Sequence, residues 1–449
     1  MNLSGAVVDR TFMVALGIVA AAVLLLVLRR SPRLAFGMAL VALCFVPVWF
    51  GFGISPNGNF YVPMSSAVVV VAVLALLPRH RIRLSIMDGV ALLLLVVSAT
   101  SSFFTGNSAV AVAFFATAVV YFTGGYLLGR LAPASVGVMW AYGAVAVVFS
   151  VVAFAVILEF VTGFNPFVQL RASNSLYTLW SPLQTRGGIV RAEGAFGHSI
   201  ALGSSLAMAI PLTLASRFRF PVRATMAGLM LVATVFTFSR AGIIAAVLGL
   251  VLCVLFLRGA IGTGTRAVLG GITVVLTTAM LPIVISVFTE AGSEASGSAA
   301  YRGDLLSLLQ HMNLMGVSDL AHRTAAGELY FDNFQSIDSQ LILTGVTEGV
   351  LPLLLVVVAL VVALVLVVSG RASAATIAVV AQIPSLATVA LITQYSTLLW
   401  MLAGLATASQ LARAEEQYEP APNRFAPRRL DPASLSIRKM RPRYDSASR

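Results

Sequence analysis

The chain has 449 residues, 59% hydrophobic and only 10% charged, with 29 basic against 17 acidic side chains and a formal charge of +12. Soluble domains carry about 25% charged residues, so a water-soluble enzyme or binding module is excluded. The basic residues fall mainly in short connections and in the last stretch of chain rather than on one patch, which argues against a nucleic-acid partner.

Apolar runs of roughly 16 to 23 residues are about what a helix needs to cross a bilayer. They recur at 11–28, 34–52, 86–101, 109–128, 136–158, 242–257 and 350–368, with shorter runs at 64–77 and 397–411. The runs are continuous rather than alternating, which selects helices over a barrel. The expected fold is all-α, a polytopic membrane bundle of about 12 to 13 transmembrane helices with two long extracytoplasmic loops. The first run has no basic stretch before it and no small-residue cleavage site after it, so it reads as a first span and not a signal peptide. Residues 1–162 read as N-terminal transmembrane helices, 163–411 as a second transmembrane core, and 412–449 as a basic, disordered cytoplasmic tail.

The clusters Arg29/Arg30/Arg33, Arg79/Arg81/Arg83, Arg130, Arg217/Arg219/Arg223, Arg258/Arg266 and Arg371 occupy alternate connections. Placing these in the cytoplasm gives a self-consistent zigzag. The outer connections are then 53–63, 103–108, 162–199, the turn at Arg240, 289–337 and the turn at 394–395; the long loops are 163–199 and 289–337. Orientation signals deplete the outer face of basic residues, yet it carries Arg171, Arg186, Arg191, Arg240, Arg302 and Arg323. Within the second loop, 304–316 reads as an amphipathic helix on the membrane face.

Four stretches carry residues able to do chemistry. "RAEGAFGHSIALGSSLAMAIPL" brings Arg191, Glu193 and His198 to a span entrance; its plainer reading is a solvated pair and a helix cap. "TFSRAGIIAAVLGLVL" holds Arg240, which either snorkels as an anchor or awaits an anion. "YRGDLL" contains Arg302 beside Asp304, an ordinary ion pair in its dull reading. "SIDSQLILTGVTEGVLPLLL" sets Asp338 where loop meets span, as a carboxylate or a plain N-cap, with Glu348 ten residues on. Both acids border one groove if that helix is continuous, although Gly345, Gly349 and Pro352 favour a bend. Cys44 and Cys253 lie inside apolar runs as small hydrophobes, and four histidines without paired spacing give no metal framework. Arginines and a carboxylate on one membrane face suit a phosphate or pyrophosphate beside a proton acceptor.

In order, these motifs resemble the O-antigen ligase and O-antigen polymerase superfamily, multi-span glycosyltransferases related to the GT-C class; the resemblance covers 191–368. It implies transfer of a glycan from an undecaprenyl-pyrophosphate-type carrier to a glycan or lipid-linked acceptor hydroxyl, without metal or cofactor. The site would face outward from the plasma (inner) membrane, in a multi-pass protein within the lipid bilayer. By position, Arg191, Gly194, Phe196 and His198 match the family's Arg…Gly-x-Phe-x-His stretch, and Arg240 its Ser-Arg pair. Arg302 resembles the arginine early in the large loop. Asp338 stands where the ligases carry a histidine and many polymerases an aspartate, which tilts the expectation toward polymerisation. The following Asn-x-Tyr-Leu-like run is here Ser339, Gln340, Leu341 and Ile342. The implied roles are Arg191, Arg240 and Arg302 on the pyrophosphate, Asp338 on the acceptor proton, and Glu193, His198 and Glu348 around the sugar. The rival readings are a transporter or flippase for a lipid-linked glycan, a ligase to a terminal acceptor, and an inactive partner in envelope assembly.

Overall fold

The computed structural model describes residues 3–53, 61–77, 83–103, 118–257, 301, 303–323, 329–334 and 336–418, with isolated positions between 264 and 282. The described residues are predominantly helical, and the strands form three short two-stranded hairpins.

Helix α1 (Leu3–Arg30) ends on two arginines that complement its dipole. α2 (Pro32–Phe45) starts at once, because Ser31 caps Leu34 N–H at 3.3 Å and Pro32 fits the first helical turn. The apolar run 34–52 is not one helix: Val46 precedes Pro47 and leaves the helical region, and the chain turns into the hairpin Gly51–Gly53/Tyr61–Pro63. α3 (Met64–Leu76) and α4 (Ile86–Phe103) follow. A π-helical turn, Ala118–Thr123, leads into α5 (Gly124–Val136), and α6 (Val138–Thr162) closes on a left-handed Gly163.

Residues 163–199 are structured: α7 (Ser175–Trp180), a tight hairpin Thr185–Arg186/Ile189–Val190 through positive-φ Gly187 and Gly188, and a 3-10 turn at Gly194–Phe196. Next come α8 (Ser199–Leu214), α9 (Phe220–Phe236) and α10 (Arg240–Phe256). In the second loop the expected amphipathic helix shrinks to a 3-10 segment, Leu305–His311. Beyond it the chain turns back, with Asn313 Nδ2 bonded to Val317 O and Gly316 at φ +90. Leu305, Leu308, Phe331, Ile337, Ile342 and Val346 give this loop a small core of its own. α11 (Gln340–Thr347), α12 (Val350–Val368), α13 (Ala374–Ala381), α14 (Ile383–Thr388) and α15 (Thr393–Tyr418) complete the described chain.

Among the described residues, α4, α6 and α12 are long and apolar enough to cross a membrane, by length and composition. Several shorter apolar helices pack with them. α8 is central: from Ala201 to Leu214 every residue is buried, against α6, α9, α10, α13 and α15. Small residues allow this. A Cβ on Gly242 would lie 2.8 Å from the Gly203 carbonyl carbon, so α8 and α10 cross backbone on backbone. α5 meets α15 in the same way through Gly125, Gly129 and Gly404, where an added Cβ would strike the facing main chain. This is a small-xxx-small contact of the membrane type.

α6, 25 residues and so about 37 Å long, separates two chemically different ends. At its start Arg33 lies over Trp140 (5.8 Å), Phe218 of the α8–α9 turn approaches Gly143, and Tyr142 bonds to Ser409 (2.8 Å), with Arg413 bonded to Ala372 O. At its finish Glu159 and Phe160 meet the segments around Glu193 and Phe238.

Candidate functional site

The site is assembled at the α6 finish. Both Glu159 carboxylate oxygens are held by main chain: Oε1 accepts from Glu193 N–H (3.0 Å) and Oε2 from Gly194 N–H (2.9 Å). Asn165 Nδ2 donates to Glu159 Oε1 (2.9 Å) and to Gly194 O (3.1 Å). An acid in a long apolar helix thus fixes the 191–198 loop, a role that only tertiary structure discloses.

Arg191, 5% exposed, donates from Nε to Thr237 O (2.8 Å) and from Nη1 to Gln184 Oε1 (3.2 Å). Arg186 Nη1 donates to the next carbonyl, Phe238 O (3.2 Å). Two guanidinium groups therefore meet the carbonyl end of α9, where the helix dipole is negative. Phe238 holds φ +45, a strained conformation for a bulky residue, and its buried ring packs on Phe160. Ser239 then caps α10 by accepting from Gly242 N–H (3.1 Å), and Arg240 is the first helical residue. Arg191 and Arg240 accordingly share one end of the molecule, joined through the Thr237–Ser239 turn.

His198 is the N-cap of α8: its Nδ1 accepts from Ile200 N–H at 3.1 Å, as the capping reading anticipates. Burial, assisted by the positive charge of Arg191, lowers its pKa to about 4, so the ring is a neutral acceptor at pH 7. Glu193 is 1% exposed; its Oε1 accepts from Gln184 N–H at 3.1 Å. Burial raises its pKa to about 7; the bond from Gln184 and the charge of Arg191 oppose the rise, and the nearby Glu159 adds to it. One buried acid beside the arginines is thus poised to hold or release a proton near neutrality.

Asp338 is half-buried and accepts from Ser336 Oγ (3.3 Å). The N-cap of α11 is Ser339, whose Oγ accepts from Ile342 N–H at 3.3 Å, so capping does not occupy Asp338. Asp338 also raises the Tyr301 pKa, behind the larger effect of burial. It connects to the arginines through α14. Gln340 N–H donates to Val389 O (3.0 Å) and Leu391 N–H to Gln340 Oε1 (2.8 Å), while Ser385, one turn before Val389, bonds to Ala241 O (3.5 Å).

The break at Gly349 (φ +105) comes after both acids: Asp338 lies two residues before α11 (Gln340–Thr347), and Glu348 is the C-cap of that helix. Its carboxylate accepts from Ser98 Oγ of α4, and its carbonyl from Ser101 Oγ and from Gly316 N–H (3.1 Å). Glu348 is thereby tied to α4. Arg302 lies outside the described residues.

Beside this end opens a cavity of about 1010 Å³ between α4, α12 and α15. α4 supplies a stripe at helical spacing, Met87, Val90, Ala91, Leu94, Leu95 and Ser98. Along α15 the lining runs from Thr393 to beyond Gln410, about 25 Å. The walls are chiefly apolar. Trp180, Gln340 and Leu391 mark the head of the cavity next to the site, and Ser85, Tyr126 and Thr407 its far end. At that far end half-buried Asp88 accepts from buried Arg130 Nε (2.9 Å) and from Tyr126 Oη (2.7 Å), an ion pair outside the sequence-derived candidates.

Among the described residues no group of three or more metal-ligating side chains converges. Compared with known protein families, curated proteins and solved structures, the chain finds no match to any of them.

Proposed function

We propose that this protein is a membrane glycosyltransferase that moves or polymerises a glycan from a polyprenyl-pyrophosphate carrier onto an acceptor hydroxyl. The observation that carries the reading is the shared end. Arg191 and Arg240 flank one turn, and an apolar cavity about 25 Å long begins beside it at Trp180 and Gln340. An anion-binding pole at the head of an oily channel suits a ligand with a diphosphate head and a long hydrocarbon tail. The zigzag of about 12 to 13 spans and an outward-facing site belong to the same proposal. So does the inner-membrane location.

In this reading the bond from the anomeric carbon to the carrier phosphate breaks as the bond to the acceptor oxygen forms. The departing diphosphate charge is met by the guanidinium group of Arg240, with Arg191 holding the turn that presents it. The acceptor proton passes to the carboxylate of Asp338, which helix capping leaves available. Glu193, His198 and Glu159 keep the 191–198 loop in place.

The test is reconstitution with a polyprenyl-pyrophosphate glycan and an acceptor. Wild type forms a new glycosidic bond; Arg240→Ala and Asp338→Ala each lose at least about a hundredfold in rate while remaining folded. Wild-type product from both variants refutes the assignment. A transporter is the second reading, favoured by the α13–α14–α15 break, where Gln382, Ser385, Tyr395 and Ser204 form a buried polar cluster. Movement of labelled lipid across liposomes without bond formation selects it.

A further inference from the structure

The start of α6, the end opposite the candidate site, carries positive charge that the reaction described above does not use. Arg33, the second residue of α2, lies over the Trp140 ring at 5.8 Å, and Phe36 packs on the same indole with centroids 6.4 Å apart. One turn further along α6, the Phe218 ring covers Gly143, where an added Cβ would lie 3.7 Å from it. Phe218 is flanked in the chain by Arg217 and Arg219, both exposed, as is Arg33. Their turn is held in shape by Arg223, whose Nη1 donates to Leu214 O at 2.7 Å. Arginines from two separate connections are thus brought to one turn of α6. Among the described residues the ion pairs are Arg83–Glu415 and Arg130–Asp88, so no carboxylate pairs with these three. Beyond them the same face of α6 continues as Val147, Val151, Phe154 and Leu158, at spacings of three and four, each between 44% and 55% exposed. From Val147 to Leu158 that stripe rises about 16 Å, close to the hydrocarbon depth of one leaflet, about 15 Å. An unneutralised cationic rim at the end of an oily stripe matches a molecule with a phosphate at one end and acyl chains at the other. The guanidinium fork suits a phosphodiester, and an indole at the junction suits the membrane–water boundary.

We infer that the start of α6 is a binding site for an anionic glycerophospholipid, its headgroup phosphate held by Arg33, Arg217 and Arg219 beside Trp140 and its acyl chains lying along Val147–Leu158. The inference needs only residence in a bilayer and is independent of the glycosyltransferase reading. The probes are phosphatidylglycerol and phosphatidylcholine with the same acyl chains, added to the detergent-purified full chain and counted by native mass spectrometry. Wild type should retain phosphatidylglycerol at least about tenfold more strongly than phosphatidylcholine. Arg33→Gln/Arg217→Gln should lose most of that preference. Arg83→Gln/Arg371→Gln, which removes the same charge from two other connections, should keep it within about twofold. Glycerol phosphate, which has the anion without the chains, should not displace the bound lipid at equal concentration. No preference in wild type overturns the inference, and so does a preference that survives in Arg33→Gln/Arg217→Gln. An equal fall in both double variants also overturns it, because the attraction is then the diffuse charge of the whole end. Displacement by glycerol phosphate makes the arginines a site for a soluble phosphate and overturns the lipid assignment. All four substituted arginines are exposed, and thermal unfolding of both double variants checks that the fold is kept.

Discussion

Glu193 makes the energetics of the site measurable without knowledge of the substrate. Its pKa is about 7 in the folded chain against an ordinary 4.5. A carboxyl group raised in this way binds its proton more tightly when folded, so it favours the native state at low pH. That contribution is complete below about pH 4.5 and is lost as pH rises through about 7. At 1.36 kcal/mol per tenfold, the difference amounts to about 2–3 kcal/mol between pH 5 and pH 8. His198 runs the other way: with its pKa lowered to about 4, it withdraws stability as pH falls below about 6.5. The raw profile of the wild type therefore mixes the two, and the informative quantity is its difference from Glu193→Gln. The glutamine keeps an acceptor for Gln184 N–H and cannot ionise. Thermal unfolding of both proteins in nanodiscs from pH 5 to pH 9 should show the variant gaining on wild type by about 2–3 kcal/mol across neutrality. Parallel profiles would mean that Glu193 titrates normally, and the closed packing around Arg191 and Glu159 would be wrong.

Other residues give separate tests. Arg191→Lys should fail to restore transfer lost in Arg191→Ala, because a lysine has no fork to bridge Thr237 O and Gln184 Oε1; initial rates decide it. His198→Ala should cost about 1 kcal/mol through the lost α8 cap, and His198→Asn should recover most of it in unfolding experiments. Asp88→Asn strands the buried Arg130 and should destabilise by about 3–5 kcal/mol, while a further Arg130→Met change restores much of the loss. Gly129→Ala drives a methyl group into the α15 backbone and should cost about 1–3 kcal/mol, seen as a lower melting temperature.

Composition alone announced apolar helices, and 136–158 and 350–368 correspond closely to α6 and α12. Such stretches are legible because a continuous oily run has few alternatives to a helix. The run at 34–52 misled because hydropathy is blind to the backbone restriction that Pro47 places on Val46. The sequence order of Arg191 and Arg240 says nothing of their separation; the Thr237 carbonyl joins them across the chain. Glu159 was visible only as a carboxylate in an apolar segment, since its partners are main-chain N–H groups with no residue signature. The ten-residue spacing of Asp338 and Glu348 reads as one helix, whereas α11 begins only at Gln340 and Glu348 ends it, bonded to Ser98 of α4, a partner with no signature in the sequence. Trp180 carried no motif at all; a lone aromatic in a loop gains meaning only from the cavity beside it.

The enclosed position of α8 has a consequence for biogenesis. Its hydroxyls at Ser204 and Ser205 are covered by neighbours, and one partner, Ser385, is synthesised 181 residues later. A nascent chain halted before α13 would leave those groups uncovered, with no docking wall for the small-residue face of α8. The ribosome must therefore finish the carboxy-terminal helices before the centre of the molecule can close, and damage to that late segment would be felt at the arginine turn far upstream.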